Sequence, residues 1–94
     1  MNVFAKIIEK KSLSDGWEFL VLVDEIQYNV HLTTRYYLQM TFEKVPPEEL
    51  VVISFDYLLA HESKESILRQ FDLSAIKKYF PDYEEEMHKR FREI

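Results

Sequence analysis

The segment closest to an enzyme motif in this 94-residue chain is His61-Glu62-Ser63-Lys64-Glu65. It begins like the helix of a zinc protease, where two histidines four residues apart bind the metal. Glu65 stands where the second histidine is required. His61, Glu62 and Glu65 together define one hypothesis, a small hydrolase or metal-dependent enzyme. A solvated histidine beside two acids at a helix end is the commoner explanation, so we predict no metal ligand here.

Other catalytic patterns are also lacking. A phosphate-binding loop needs several glycines, and Gly16 is the only glycine in the sequence. No serine lies in a nucleophile-elbow sequence, and the three histidines are scattered along the chain. His31 falls on the polar side of a predicted strand, where a pH sensor or ligand is the alternative to a solvated residue. We therefore predict a non-enzymatic protein with no catalytic residue, cofactor or small-molecule substrate.

The charge balance disfavours a general affinity for nucleic acids. The formal net charge is −5, whereas binding to phosphate backbones draws its energy from clustered lysines and arginines. Lys6, Lys10 and Lys11 nevertheless form a small basic group near the start of the chain. They define an alternative hypothesis, a nucleic-acid-associated accessory protein.

Length and composition predict a single globular domain over residues 1–94. Hydrophobic residues make up 47% of the chain, well above the level of disordered proteins, and cysteine is absent. No stretch approaches the roughly 20 apolar residues of a membrane span, and Met1 to Lys11 mixes charges with apolar residues, unlike a secretory signal. We expect a soluble cytoplasmic protein with no membrane partner.

The amino-terminal third predicts a three-stranded antiparallel β-meander. Apolar residues alternate with polar ones, and the turn residues between them place the strands at about 3–11, 17–23 and 26–32. Gly16 ends the first turn, which indicates that it supplies a positive φ, a backbone conformation that other residues adopt only at a cost in free energy.

Helical periodicity replaces alternation after Thr33. The pattern predicts four or five helices, packed mainly on one face of the sheet, at about 34–43, 47–61, 64–70, 73–79 and 81–93. Pro47 and Pro81 suit first helical positions, and Ser63 and Asp72 suit caps. Residues 50–60 begin with β-branched residues and leave a strand possible, although the length and the proline-acidic start favour a helix. The fold class is α+β.

The carboxy-terminal half contains a distinctive sequence motif. It consists of Ser54-Phe55-Asp56-Tyr57-Leu58-Leu59, then Glu65 to Leu73, then Tyr79 to Glu84. With this motif the chain resembles a family of small uncharacterised microbial proteins, a domain of unknown function. In that family an alternating strand and a Tyr-Tyr-Leu-type short helix precede the motif. The resemblance implies one compact domain and carries no activity, cofactor or site residue with it.

One strip of apolar residues has no place in the core of the predicted fold. In the second strand Trp17, Phe19, Val21 and Val23 share one face, yet Leu20 and Leu22 make the other face apolar too. If helices cover only one face, these leucines, with Phe4 and Ile8 beside them, form a possible interaction surface. We expect a protein-interaction module whose partner is another protein or a second copy of itself, as a homodimer.

Overall fold

Three strands form the first third of the chain, as predicted. The computed structural model describes residues 4–93. Antiparallel neighbours in the sheet are β1 (Ala5–Leu13), β2 (Gly16–Val23) and β3 (Ile26–Thr33). Val3, where the first strand was predicted to begin, lies outside the described residues. The sheet places Phe19, Val21 and Val23 on its inner face, where they are fully buried.

Gly16 allows the backbone at the end of β3 to lie close to the start of β2. Its φ is +155°, and a Cβ at this position would lie 2.1 Å from the carbonyl oxygen of Leu32 and 2.7 Å from Cα of Thr33. Immediately beside it, the amide N–H of Thr34 donates to the carbonyl of Asp15 at 2.9 Å. Only a residue without a side chain fits here, which confirms the predicted role of Gly16.

Four α-helices follow within the described residues, namely α1 (Thr34–Thr41), α2 (Pro47–His61), α3 (Ile76–Tyr79) and α4 (Tyr83–Arg92). The bounds of α2 match the prediction, and residues 50–60 are helical. In contrast, α4 begins at Tyr83 rather than at Pro81, because Pro81 and Asp82 form a turn after α3. The helix charges are as expected, with three glutamates in the first turn of α4 and basic residues in its last turn.

The predicted helix at 64–70 is wrong. Residues Lys64–Ser66 form a 3₁₀ turn, after which the chain extends into a short strand, β4 (Gln70–Asp72). This strand pairs in parallel with β3, so the sheet is mixed and has four strands in the order β1-β2-β3-β4. Pairing with β4 satisfies backbone N–H and C=O groups at the edge of β3 that would otherwise lack hydrogen-bond partners. This gain outweighs the helical periodicity of residues 64–70.

The predicted helix at 73–79 is broken into two parts. Residues Leu73–Ala75 form a 3₁₀ turn that continues directly into α3. Asp72 caps this turn as predicted, since its carboxylate accepts the amide N–H of Ser74 at 2.9 Å.

A single core lies between the inner face of the sheet and the helices. The sheet contributes Tyr28, Val30 and Leu32 besides the residues of β2, and the helices contribute Met40, Leu50, Val51, Phe55, Tyr83, Met87 and Phe91. Because α1 and α2 both pack against this inner face, the helices lie on one side of the sheet.

Candidate interaction surfaces

The outer face of the sheet carries three cross-strand rows of side chains. Register places Lys6, Leu22 and Gln27 in the first row. The second row contains Glu9, Leu20, Asn29 and Gln70, and the third contains Lys11, Glu18, His31 and Asp72. Lys6, Gln27 and Asn29 are exposed, so nothing within residues 4–93 covers this face. We call this surface the outer face.

Leu20 and Leu22 lie at the centre of the outer face, as the alternation of β2 predicted. Both side chains are half-buried, because long polar side chains of β1 and β3 flank them. Ile8 lies at a β-bulge, where the register with β2 shifts between Ile7 and Glu9, and it is 39% exposed. Phe4 directly precedes β1 and is 69% exposed. The four predicted residues therefore lie on β1, on β2 and immediately before β1.

The three amino-terminal lysines do not share one face. Lys6 and Lys11 are on the outer face, opposite Leu22 and Glu18. Lys10 points to the inner side, where its Nζ lies 3.1 Å from Oε2 of Glu48 at the start of α2 and 5.6 Å from the ring centroid of Trp17. A basic patch made of all three lysines is therefore not formed. On the edge strand β1, lysines and a bulge also oppose pairing with another strand.

His31 contacts two carboxylates at one corner of the outer face. Its Nδ1 lies 2.6 Å from Oδ2 of Asp72 on β4, and its Nε2 lies 3.3 Å from Oδ1 of Asp15 in the β1–β2 turn. The other oxygen of Asp72 accepts the hydroxyl of Ser74 at 2.7 Å. Glu18 faces His31 from β2 in the register of the sheet. We call the three residues Asp15, His31 and Asp72 the His31 bridge.

The bridge favours a protonated imidazole. Burial lowers the pKa of His31, but hydrogen bonds to Asp72 and Asp15 raise it more, so the pKa lies above its ordinary value. Burial likewise raises the pKa of Asp72, whereas hydrogen bonds from Ser74 and from His31 lower it and prevail. Each of the two side chains therefore favours the charged form of the other, and the pair links β3 to β4.

The prediction that His31 is merely solvated is wrong. Its place on the polar side of β3 was correctly read from the alternation. The missing information was the strand β4, which brings Asp72 beside His31; the prediction instead placed Gln70 at the end of one helix and Asp72 as the cap of the next. Only the contact with Asp15 could have been anticipated from the sequence. Asp15 lies in the turn just before β2, and antiparallel pairing brings the start of β2 level with the last residues of β3.

His61 has a structural environment at the end of α2. Its Nδ1 lies 2.8 Å from the carbonyl oxygen of Tyr57, and its ring stacks on the Tyr57 ring at a centroid distance of 4.2 Å. Glu65 lies in the 3₁₀ turn beyond the helix end, so it does not continue the helical spacing from His61. Among residues 4–93 no three His, Cys, Asp or Glu side chains come together as metal ligands.

A concave surface lies on the helical side of the molecule, between the end of α2, the segment that follows it, and α3. Its volume is about 170 Å³ and its lining is mainly apolar, including Leu58, Ile67, Phe71 and Ile76. Leu68 and Tyr79 form its rim and are 55% and 68% exposed. We call it the α2–α3 groove. The groove was not predicted from the sequence, because it depends on the extended path of residues 67–72.

Comparisons with known proteins give no relative for this chain. No family model matches the sequence, and neither the curated proteins nor the solved structures contain a significant match. The resemblance to small microbial proteins of unknown function therefore stays a prediction. No helix within residues 4–93 has the length and apolar character that crossing a bilayer requires.

Proposed function

We propose that this protein is a non-enzymatic interaction module that associates with a second copy of itself through the outer face. The observation that carries the proposal is the position of Leu20 and Leu22, two half-buried leucines at the centre of a sheet face that no part of residues 4–93 covers. Covering such side chains with a partner removes apolar surface from water, which favours association.

The charges of the outer face suit a second copy. A copy turned about an axis parallel to β2 lays β1 of each molecule over β3 of the other, the aligned packing of two sheets. In that arrangement Lys11 lies opposite His31, whose imidazole is held between the carboxylates of Asp72 and Asp15, and Lys6 faces the neutral Gln27. Glu18 lies near the axis and faces its own copy, which weakens the contact. The two carboxylates of the His31 bridge outnumber its one cation, so Lys11 meets a net negative corner, which favours this pairing over one that superimposes β1 on β1.

The size of the face indicates a weak dimer. Strands of eight residues, such as β2 and β3, span about 26 Å at roughly 3.3 Å per residue. Three strands spaced about 4.8 Å apart make the face roughly 15 Å wide, or about 400 Å² per copy. Stable interfaces bury about 800 Å² per partner, so we expect a reversible dimer that forms at micromolar or higher concentration.

The contacts of the histidines support a non-enzymatic role. His31 is held by two carboxylates, and His61 and His88 each bond to a backbone carbonyl, those of Tyr57 and Gln39. A histidine that activates a nucleophile instead contacts a hydroxyl or thiol.

Sedimentation equilibrium tests the proposal. We expect the wild-type protein to dimerise reversibly across a concentration series, and Leu20→Lys and Leu22→Lys to remain folded monomers. Leu68→Lys is the matched control, because Leu68 is an apolar surface residue, 55% exposed, that lies in the α2–α3 groove and not on the outer face. A monomer at all concentrations, or equal dimerisation of all variants, would remove the basis of the proposal.

A mobility-shift titration with mixed RNA or DNA separates this proposal from the nucleic-acid alternative. We expect no shift at low salt. A salt-dependent shift that is lost in Lys6→Glu and Lys11→Glu would instead favour a nucleic-acid-associated protein.

A further inference from the structure

The α2–α3 groove has the size of one side chain. Its volume of about 170 Å³ is similar to that of an apolar cavity of about 150 Å³ that accepts a benzene ring. Pockets for whole small-molecule ligands are larger, about 300 Å³ or more. The groove therefore fits a leucine, methionine or phenylalanine side chain that enters from outside.

The rim of the groove is apolar and accessible. Leu68 and Tyr79 expose more than half of their surface, although they adjoin the half-buried Phe71 and Phe80. Large exposed apolar residues around a concave apolar floor are typical of sites that receive a partner's side chain.

The charge at the groove selects a cationic partner. Glu62 is the one charged residue among those that line it, and within residues 4–93 its carboxylate has no hydrogen-bond or ion-pair partner. Two cations of the flanking segments are engaged elsewhere, since Lys64 pairs with Asp24 at 2.6 Å and Lys77 with Glu84 at 3.4 Å. A lysine or arginine beside the entering apolar side chain would thus meet an unopposed carboxylate.

We propose that the α2–α3 groove binds a peptide segment of a partner protein that presents one leucine- to phenylalanine-sized side chain next to a lysine or arginine. The apolar side chain occupies the floor formed by Leu58, Ile67 and Ile76, and the basic side chain pairs with Glu62. The net charge of −5 on the chain adds to the attraction for a basic segment. The groove shares no residue with Leu20, Leu22, Phe4 or Ile8, so this inference does not depend on self-association.

Selection from a displayed library of random short peptides tests the proposal, with counter-selection on Leu68→Asp. We expect enriched peptides to carry an apolar anchor with a lysine or arginine within one turn. The affinity of synthetic copies should fall at least about tenfold in Leu68→Asp, because an apolar contact of the anchor is lost. In Glu62→Gln it should fall about two- to fivefold, since a partly exposed ion pair is lost.

Leu38→Asp is the control, because Leu38 is 40% exposed on α1 and lies outside the groove. The affinity of the Leu38→Asp variant for the peptides should equal that of the wild type. Thermal unfolding should verify that Leu68→Asp, Glu62→Gln and Leu38→Asp are all folded. Failure to enrich any peptide that depends on Leu68, or enrichment of peptides without basic residues, would overturn the proposal.

Discussion

The hydrogen bond between Ser54 and Tyr83 offers a sharp test of how the helices are held together. The two hydroxyl oxygens, on α2 and α4, lie 2.6 Å apart, and both residues are fully buried. Within the described chain the phenol has no other hydrogen-bond partner. The Ser54 hydroxyl is on a helix, where it has the carbonyl oxygen of Leu50 as an alternative acceptor. The two single substitutions should therefore differ in cost.

We expect Ser54→Ala to lower the free energy of unfolding by about 1–3 kcal/mol, because it leaves a buried phenol without a partner. Tyr83→Phe should cost less, about 0.5–1.5 kcal/mol, since the serine turns to its own helix. The double variant leaves no unpaired hydroxyl, and its loss should stay near that of Tyr83→Phe alone. The resulting coupling energy equals the cost of Ser54→Ala, about 1–3 kcal/mol.

Urea denaturation of the four proteins, at constant slope, measures these values. Tyr79→Phe is the matched control, because Tyr79 is 68% exposed and should change stability by no more than about 0.5 kcal/mol. Additive losses in the double variant, or an equal cost for the two single variants, would refute the reasoning.

Three further predictions concern the backbone and the His31 bridge. Gly16→Ala should lower the free energy of unfolding by about 3 kcal/mol or more, because its Cβ would meet a backbone carbonyl at 2.1 Å; an unchanged urea midpoint would contradict this. Glu43 has a φ of +60°, so Glu43→Gly should stabilise by up to about 1 kcal/mol while Glu43→Val destabilises; a thermal-melt order of valine above glycine would refute it. The pKa of His31 is raised in the folded state by Asp72 and Asp15, so its stabilising contribution is complete below the unfolded pKa of about 6.5 and is lost as pH rises through the folded value. Thermal unfolding from acid to alkaline pH should therefore show the wild type losing stability relative to His31→Gln across that interval, and parallel profiles would show that the bridge contributes nothing.

Local patterns predicted the parts of the fold that local forces determine. The alternation of β2 and β3 placed Leu20 on the outer face and Val21 in the core, because successive residues of a strand point to opposite sides. The bounds of α2 followed from Pro47 and the two glutamates after it, which suit the start of a helix.

Long-range pairing accounts for the main errors. Residues 67–72 have helical spacing, yet the open edge of β3 recruits them as an extended segment, with the amide of Asn29 donating to the carbonyl of Arg69 at 2.7 Å. Both the His31 bridge and the α2–α3 groove depend on this path, so neither was predictable from the local sequence. The bulge at Ile8 likewise shifts the register of β1, and Lys10 lies on the inner side rather than with Lys6 and Lys11.

Site-specific crosslinking tests the central claim, that the outer face joins two copies, most directly. The chain has no cysteine, so Leu22→Cys and Leu68→Cys each give a single thiol. A short bis-maleimide suits the purpose, because facing sheets lie roughly 10 Å apart, beyond the reach of a disulfide. We predict rapid covalent dimerisation of Leu22→Cys and little of Leu68→Cys, although position 68 is the more exposed. Faster crosslinking at position 68, as random collision would give, would contradict the proposed interface.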